Sequence, residues 1–453
     1  MRPYPALSML AVGLSWTMAA TPSLVLPSSA PAESSNLRWA SADQGTKAAW
    51  LADAKSLLHA DLSERLEPVV LATLEAESTF AAPASVMFRD GRTLLCFWTT
   101  RDPQGSSHER AGGMARSEDG GLTWRREDRL LGESFSNFAV PHGHYSTMTR
   151  DLGAFAVTNH EGEERLWIVA PHEILPGGAC HEYLPRLLSV DGGRSWERLA
   201  PIGGTSKQVD PARMHMYFTS MVRRFDGSIL ATYEGYGQAD SRRPSGKLGA
   251  LQALQTISYD AGRNWEKPTV LCDGLGPGDN EPSAPFVFRS PDGRELACLM
   301  HQQNDRGPSL VAFSQDEGRT WTAPRETSWG LSGRRHAAVT LPDGRLFVTM
   351  EDKAPWPESF REAGIPVGGG LFAWVGTYQD LRQGRPGQGR LRLLSHLTGR
   401  DPSPGLHLLA DGTIVAVTRR TPIKQGPRET EIVALRISPK AVDEALESAK
   451  RIR

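Results

Sequence analysis

Short apolar runs of five or six residues recur along this chain, each standing just after a Gly-containing turn. TLLCFW comes after Asp90-Gly91, RLWIVA after Glu161-Gly162, SILATY after Asp226-Gly227, ELACLM after Asp292-Gly293, LFVTM after Asp343-Gly344 and TIVAVT after Asp411-Gly412. Runs of this length and composition, bounded by Asp-Gly-type turns, predict strands joined in hairpins, six in all. A polar pattern, S-x-D-x-G-x-x-W, follows the first four runs, at residues 117–124, 189–196, 258–265 and 314–321. It has the chemistry of a self-capped turn. The Asp carboxylate accepts backbone N–H bonds, the Gly supplies a left-handed position, and the Trp covers the apolar flank of the hairpin. The four Asp residues, Asp119, Asp191, Asp260 and Asp316, are 72, 69 and 56 residues apart. Such spacing exceeds a hairpin and fits a four-stranded unit with its loops, so radial repetition of small sheets, a β-propeller, is expected.

Each of the first four blades then reads strand, Gly turn, strand, long loop, strand, capped turn, strand, and the last two need other outer turns. After the sixth Gly turn only residues 431–437 are left for a further strand. The apolar stretch at 68–74, PVVLATL, is expected to supply the missing outer strand from the other end of the chain and so to close the ring. Two helices flank this all-β, six-bladed unit by pattern. Trp50, Ala54, Leu57 and Leu58 share one helical face, and Val442, Ala445, Leu446 and Ala449 share another, the second opened by Ser438-Pro439 and ended by Lys450-Arg451.

Positive Arg2, an apolar stretch over 6–20 and an Ala30-Pro31-Ala32 site have the form of a secretory signal cut near Glu33, which implies a secreted or periplasmic protein. The expected organisation is a signal at 1–32, a helical segment at 33–66, the propeller at 67–437 and a C-terminal helix at 438–453, with no membrane span after cleavage. A formal net charge of −1 argues against a nucleic-acid partner held by bulk charge. Cys96, Cys180, Cys272 and Cys298 have no metal-ligand spacing, and Cys96 and Cys298 fall in apolar runs as buried thiols.

Four such Asp-boxes alternating with six hairpins resemble the sialidase (neuraminidase) superfamily of BNR-repeat, six-bladed propellers over roughly residues 67 to 437. The resemblance implies a glycosidase that holds a substrate carboxylate with three arginines, activates a Tyr nucleophile with Glu and uses an Asp acid/base. Carried over position by position, Asn280-Glu281-Pro282 matches the Glu segment and makes Glu281 the activating carboxylate. Arg334 or Arg335 in Gly333-Arg334-Arg335-His336 matches the third arginine. Elsewhere the chain departs from the family. Phe80-Ala81-Ala82-Pro83 lacks the first arginine, His301 stands where the second is expected, and Asp401-Pro402-Ser403-Pro404-Gly405 has no Tyr. Blade 1 offers His108 and Glu109 in place of the acid/base Asp.

In a propeller the central pocket is lined by loops entering the innermost strands and loops leaving the second strands. Eight of the twelve histidines fall in those loops. Catalytic candidates are Glu281, His108, Glu109 and His301. Candidates for substrate contact are Arg101, His144, Arg213, His215, Tyr236, Arg334, Arg335 and His336, with Glu234, Glu351 and Asp352 on the same loops. Arg and His around a pocket suit an acidic sugar held by charge-assisted hydrogen bonds. No H-x-x-x-H or H-E-x-x-H spacing points to a metal, and no cofactor is expected. The reading is a monomeric, sialidase-like glycoside hydrolase acting on a terminal acidic sugar. The alternatives are a polysaccharide lyase with a Tyr or His base and a carbohydrate-binding propeller without catalysis.

Overall fold

The structure, a computed structural model, describes residues 44–74, 79–80, 83–101, 112–130, 152–159, 161–169, 186–200, 202, 218–236, 251–273, 281–302, 307–352, 356–395, 405–421 and 430–452. The expected leader at 1–32 and Cys180 lie outside these residues.

Six small sheets follow one another around a ring, and the fold is a six-bladed β-propeller. The apolar runs form the second strand of each blade, and in blades 1 and 4 they are buried without a break: Leu94 to Trp98 and Leu296 to Met300 are at most 1% exposed. Continuous apolarity, where a half-buried strand would alternate, follows from the architecture, because each sheet is covered on both faces by its neighbours. Leu95 and Phe97 pack with Leu166, Ile168 and Leu187 of blade 2, whereas Leu94, Cys96 and Trp98 pack with Val415, Val417 and Ile432 of blade 6. The period of two survives as a choice of neighbour.

The four Asp-boxes cap the turns between third and fourth strands. In the first, the Ser117 hydroxyl donates to Asp119 (2.8 Å) and accepts from Gly121 N–H (2.7 Å), while Asp119 accepts from Leu122 and Thr123 N–H at 3.0 and 2.9 Å. These bonds hold the carboxyls of Asp119, Asp191 and Asp316 down to about 2. Blade 5 uses a helical turn at the same place, Tyr378–Gln383, where Thr377 and Asp380 form a capping box and Gly384 ends the turn at φ 68°.

Blade 6 has no such turn because its outer strand arrives from the far end of the sequence. Val69–Leu74 pairs antiparallel with Thr430–Ile437, matching Val69 to Ala434 and Leu74 to Thr430, and this pairing closes the ring. The helices depart from expectation in one detail. The first, Gln44–Ser56, stops before Leu57, with the Ser56 hydroxyl on the Asp53 carbonyl at 2.6 Å. Leu58 therefore opens a strand, Leu58–Asp61, which adds in parallel to the outer edge of blade 5. Trp50, Ala54 and Leu57 still pack as one face, against Trp329 and Trp374 among others. The last helix, Pro439–Ile452, is capped by Ser438, whose hydroxyl accepts from Ala441 N–H at 3.1 Å, and buries Val442, Ala445 and Leu446. Cys96, Cys272 and Cys298 are buried, and burial pushes the Cys96 and Cys298 thiols well up.

Candidate functional site

The innermost strands of all six blades surround a cavity of about 360 Å³ on the ring axis. Its wall is mostly apolar, with Val86, Ala154, Phe155, Phe218 and Phe286 among the lining side chains. Ser85, Thr219, Ser220, Arg335, His336 and His407 are the polar residues on it.

Two of the six innermost strands are deformed where they leave the mouth. In blade 4 the register of Pro282–Arg289 slips between Ser283 and Phe286, and in blade 5 that of Arg334–Thr340 slips between Arg334 and Ala337. Each bulge contains a non-glycine residue in the left-handed region, Ala284 at φ 46° and Arg335 at φ 55°. Such a conformation costs about 1 to 2 kcal/mol and persists only where its surroundings impose it.

The surroundings are visible in both blades. At blade 4, the buried Glu234 carboxylate, on the second strand of blade 3, accepts from the Ser283 hydroxyl and from Ala284 N–H, the latter at 2.6 Å. Thr219 and Thr232 both donate to the Pro285 carbonyl, and the Ser220 hydroxyl accepts from Val287 N–H at 2.9 Å. Blade 3 thereby supplies the hydrogen bonds that the bulge removes from the ladder.

At blade 5, a fully buried ion pair stands behind the turn that enters the strand. Arg390 donates to Asp352 at 2.8 Å, and its guanidinium lies 4.5 Å from the Trp329 ring and 4.7 Å from that of Phe372. Its two terminal nitrogens also reach the carbonyls of Trp329, Gly330 and Ser332 at 3.1 to 3.3 Å. Asp352 also accepts from the Trp356 indole at 2.9 Å and from Gly368 N–H at 3.2 Å. Breaking such a pair from one side costs about 3 to 5 kcal/mol, because the other charge stays buried. Asp352 was expected on the pocket. Its carboxylate is instead bonded to Arg390, which holds the carbonyls of Trp329, Gly330 and Ser332 ahead of Arg334 and Arg335.

His336 lines the cavity and is anchored through Nε2 to the Ser309 hydroxyl (3.0 Å) and the Leu331 carbonyl (3.1 Å). Burial, opposed in part by the Leu331 hydrogen bond, pushes its imidazole down to about 4. On the next two blades, 1 and 6, the Ser85 hydroxyl and His407 Nε2 stand 2.8 Å apart, and burial holds the His407 imidazole down to about 4 as well.

Arg335 and His336 are therefore on the axial cavity wall. Arg334 is the neighbouring bulge residue, register-paired with the buried Glu351. Glu281, half-buried, directly precedes the innermost strand of blade 4, and buried His301 is register-paired with Ser283, so both stand at the mouth end of that blade rather than on the cavity wall. Arg101 and Tyr236 end the second strands of blades 1 and 3, and only their backbone is described. His108, Glu109, His144, Arg213 and His215 lie outside the described residues. Ser85 and His407 were not among the expected residues, because they stand inside innermost strands and not in the loops that enter or leave them. The readable signal was a polar side chain inside an innermost strand, with Gly405 two positions before His407 on the same face. Among the described residues, no three His, Cys, Asp or Glu side chains gather as a metal-ligand set.

Comparison with known proteins places a BNR repeat-like domain over residues 146–361. No curated protein sequence matches the chain. Among solved structures, a protein of unknown function from Dyadobacter fermentans is 17% identical with a TM-score of 0.55, over 82% of this chain and 99% of that one. An intramolecular trans-sialidase from Ruminococcus gnavus is 11% identical with a TM-score of 0.48, over 84% and 98% of the two chains. A GH43_1 enzyme from Xanthomonas citri is 13% identical with a TM-score of 0.39, over 67% and 87%.

Proposed function

We propose, from the premise that this chain is a sialidase-like, BNR-repeat six-bladed propeller, that it is a secreted glycoside hydrolase acting on a terminal acidic sugar. The observation that carries the reading is Arg335. It is a cation held in a strained backbone conformation on the wall of a mostly apolar axial cavity, with a buried ion pair fixing the turn before it. A carboxylate or sulfate on a sugar ring is the ligand group that matches it. Glu281, at the mouth of the neighbouring blade, acts as the base that activates the attacking water. The leaving oxygen takes its proton from His108 or Glu109, since blade 1 faces blade 4 across a six-membered ring. With no Tyr at the family's nucleophile position, direct attack by water is the step these residues support. Removal of residues 1–32 at export is the corresponding proposal for localisation, checked by sequencing the N-terminus of the mature protein.

The test is turnover of sialosides, uronates and sulfated oligosaccharides by wild type and Glu281→Gln. Wild type is expected to release new reducing ends, and Glu281→Gln to lose turnover while keeping ligand affinity within about tenfold. A fully active Glu281→Gln enzyme would remove Glu281 from the mechanism. Unsaturated products would mark elimination, and Arg335-dependent binding without turnover would mark a carbohydrate-binding propeller.

A further inference from the structure

The Ser85 and His407 pair belongs to a different level of the ring from Arg335. Innermost strands run from the mouth toward the Gly turns, so depth can be counted back from the Asp of each turn. Arg335 is eight residues before Asp343, Ser85 is five before Asp90 and His407 is four before Asp411. At roughly 3.3 Å per strand residue, less one residue for the blade 5 bulge, the pair lies about 7 to 10 Å deeper than Arg335.

Gly405 makes the pair possible. A Cβ at that position would sit 1.7 Å from the Ser85 hydroxyl oxygen, so any side chain at 405 would displace it from His407. The two partners come from strands 322 residues apart in sequence, on blades 1 and 6, and both line the cavity. Their chemistry selects the group they would meet. If Ser85 donates to His407, its oxygen is left to accept; if His407 donates, the Ser85 proton is left to give. A hydroxyl both gives and accepts, and so matches either tautomer, whereas a carboxylate or carbonyl matches only one. The cavity, about 360 Å³, is at the small end of the range for ligand pockets, which suits one sugar and not an oligosaccharide.

We propose that Ser85 and His407 form an inner polar anchor that hydrogen-bonds a hydroxyl of a single acidic sugar whose anionic group is held by Arg335. This rests on the acidic-sugar reading above and adds to it end-on entry along the axis, with recognition at two depths. Ser85 and His407 bind; they take no part in bond cleavage.

Calorimetric titration of the full chain with glucuronate, galacturonate and N-acetylneuraminate tests the anchor, using wild type, Arg335→Met, Ser85→Ala and Gly405→Ala, each checked for an unchanged melting temperature. At least one of these sugars is expected to bind wild type. Arg335→Met should weaken it most, Ser85→Ala and Gly405→Ala should weaken it about tenfold, the value of a neutral buried hydrogen bond, and the Ser85→Ala loss should vanish for an analogue lacking the contacted hydroxyl. Should Gly405→Ala fail to fold, Ser85→Ala decides alone. Arg335-dependent binding with Ser85→Ala equal to wild type overturns the inner anchor and leaves the acidic-sugar reading standing. Absence of binding by all three sugars, or binding indifferent to Arg335→Met, overturns that reading and the anchor with it.

Discussion

Arg335 and His336 are adjacent in sequence, yet the fold gives them different tasks. Arg335 occupies a left-handed bulge position on the cavity wall, while His336 is held in the wall by Ser309 and Leu331. A run of Arg-Arg-His in a loop signals polar chemistry without saying which side chain turns inward, because that depends on a register slip no local pattern encodes. Buried imidazoles also make stability depend on pH with a definite sign. His336 and His407 titrate near 4 in the fold and near an ordinary 6.5 when unfolded, so between those values the unfolded chain binds more protons. Their contribution is complete above about pH 6.5 and is lost as pH falls toward 4. The Asp-box carboxyls, at about 2 in the fold, add a second loss as pH falls from about 4 toward 2. A thermal midpoint measured from pH 8 to 3 should therefore decline in two stages. His336→Gln, whatever it costs at neutral pH, should flatten the first. An unchanged slope between pH 6.5 and 4 in that variant would show that His336 is not held neutral by the fold.

Elements were legible in the sequence wherever one residue type had one conformational use. The Gly turns, the Asp-boxes and the apolar second strands are of this kind, and all sit where the pattern places them. The bulges of blades 4 and 5 were not legible, since their causes, Glu234 for one and Arg390 with Asp352 for the other, come from distant segments. The same distance hid Ser85 and His407. Trp124, Trp196, Trp265 and Trp321 are half-buried, and they lie between blades: Trp196 meets the Phe97 ring of blade 1 edge-on at 5.5 Å, and the Trp321 indole donates to Gln255 of blade 3 at 2.8 Å. Full burial would make truncation worth about 3 to 5 kcal/mol; with part of the ring in solvent, Trp196→Ala should cost about 2 kcal/mol. Denaturant unfolding measures this cost, and sugar binding at the axis should be unaffected. A loss of binding at unchanged stability would mean that the boxes communicate with the cavity.

At the scale of the molecule, the ring is stapled in one direction. Arg116 of blade 1 donates to the Gly192 carbonyl of the next Asp-box (2.7 Å), Arg186 of blade 2 to Gly262 (2.6 Å) and Gln255 of blade 3 to Gly318 (2.7 Å). Arg325 of blade 4 reaches the Leu381 carbonyl in the helical turn that replaces the box in blade 5 (2.7 Å), and Arg436 of blade 6 reaches Gly120 of blade 1. Each staple joins segments close in the ring, so blades can assemble on their neighbours in order. The strands from the start of the chain are exceptions: Leu58–Asp61 joins blade 5, and the closing strand, Val69–Leu74, has a partner more than 350 residues away in the sequence. Until it docks, the Thr430–Ile437 strand has an unpaired edge, and Val433, Ala434 and Leu435, fully buried in the closed ring, lack their cover on that side. A chain beginning at Thr79 should thus retain five blades' worth of strand signal by circular dichroism, aggregate at micromolar concentration and be cleaved by protease within blade 6. Leu71→Asp, which places a charge at a buried position of the closing strand, should do the same more mildly. A synthetic peptide spanning residues 68–74 should suppress aggregation of the shortened chain by pairing with the open edge. A shortened chain that stays monomeric and melts like the full protein would show that the ring does not depend on this strand for closure.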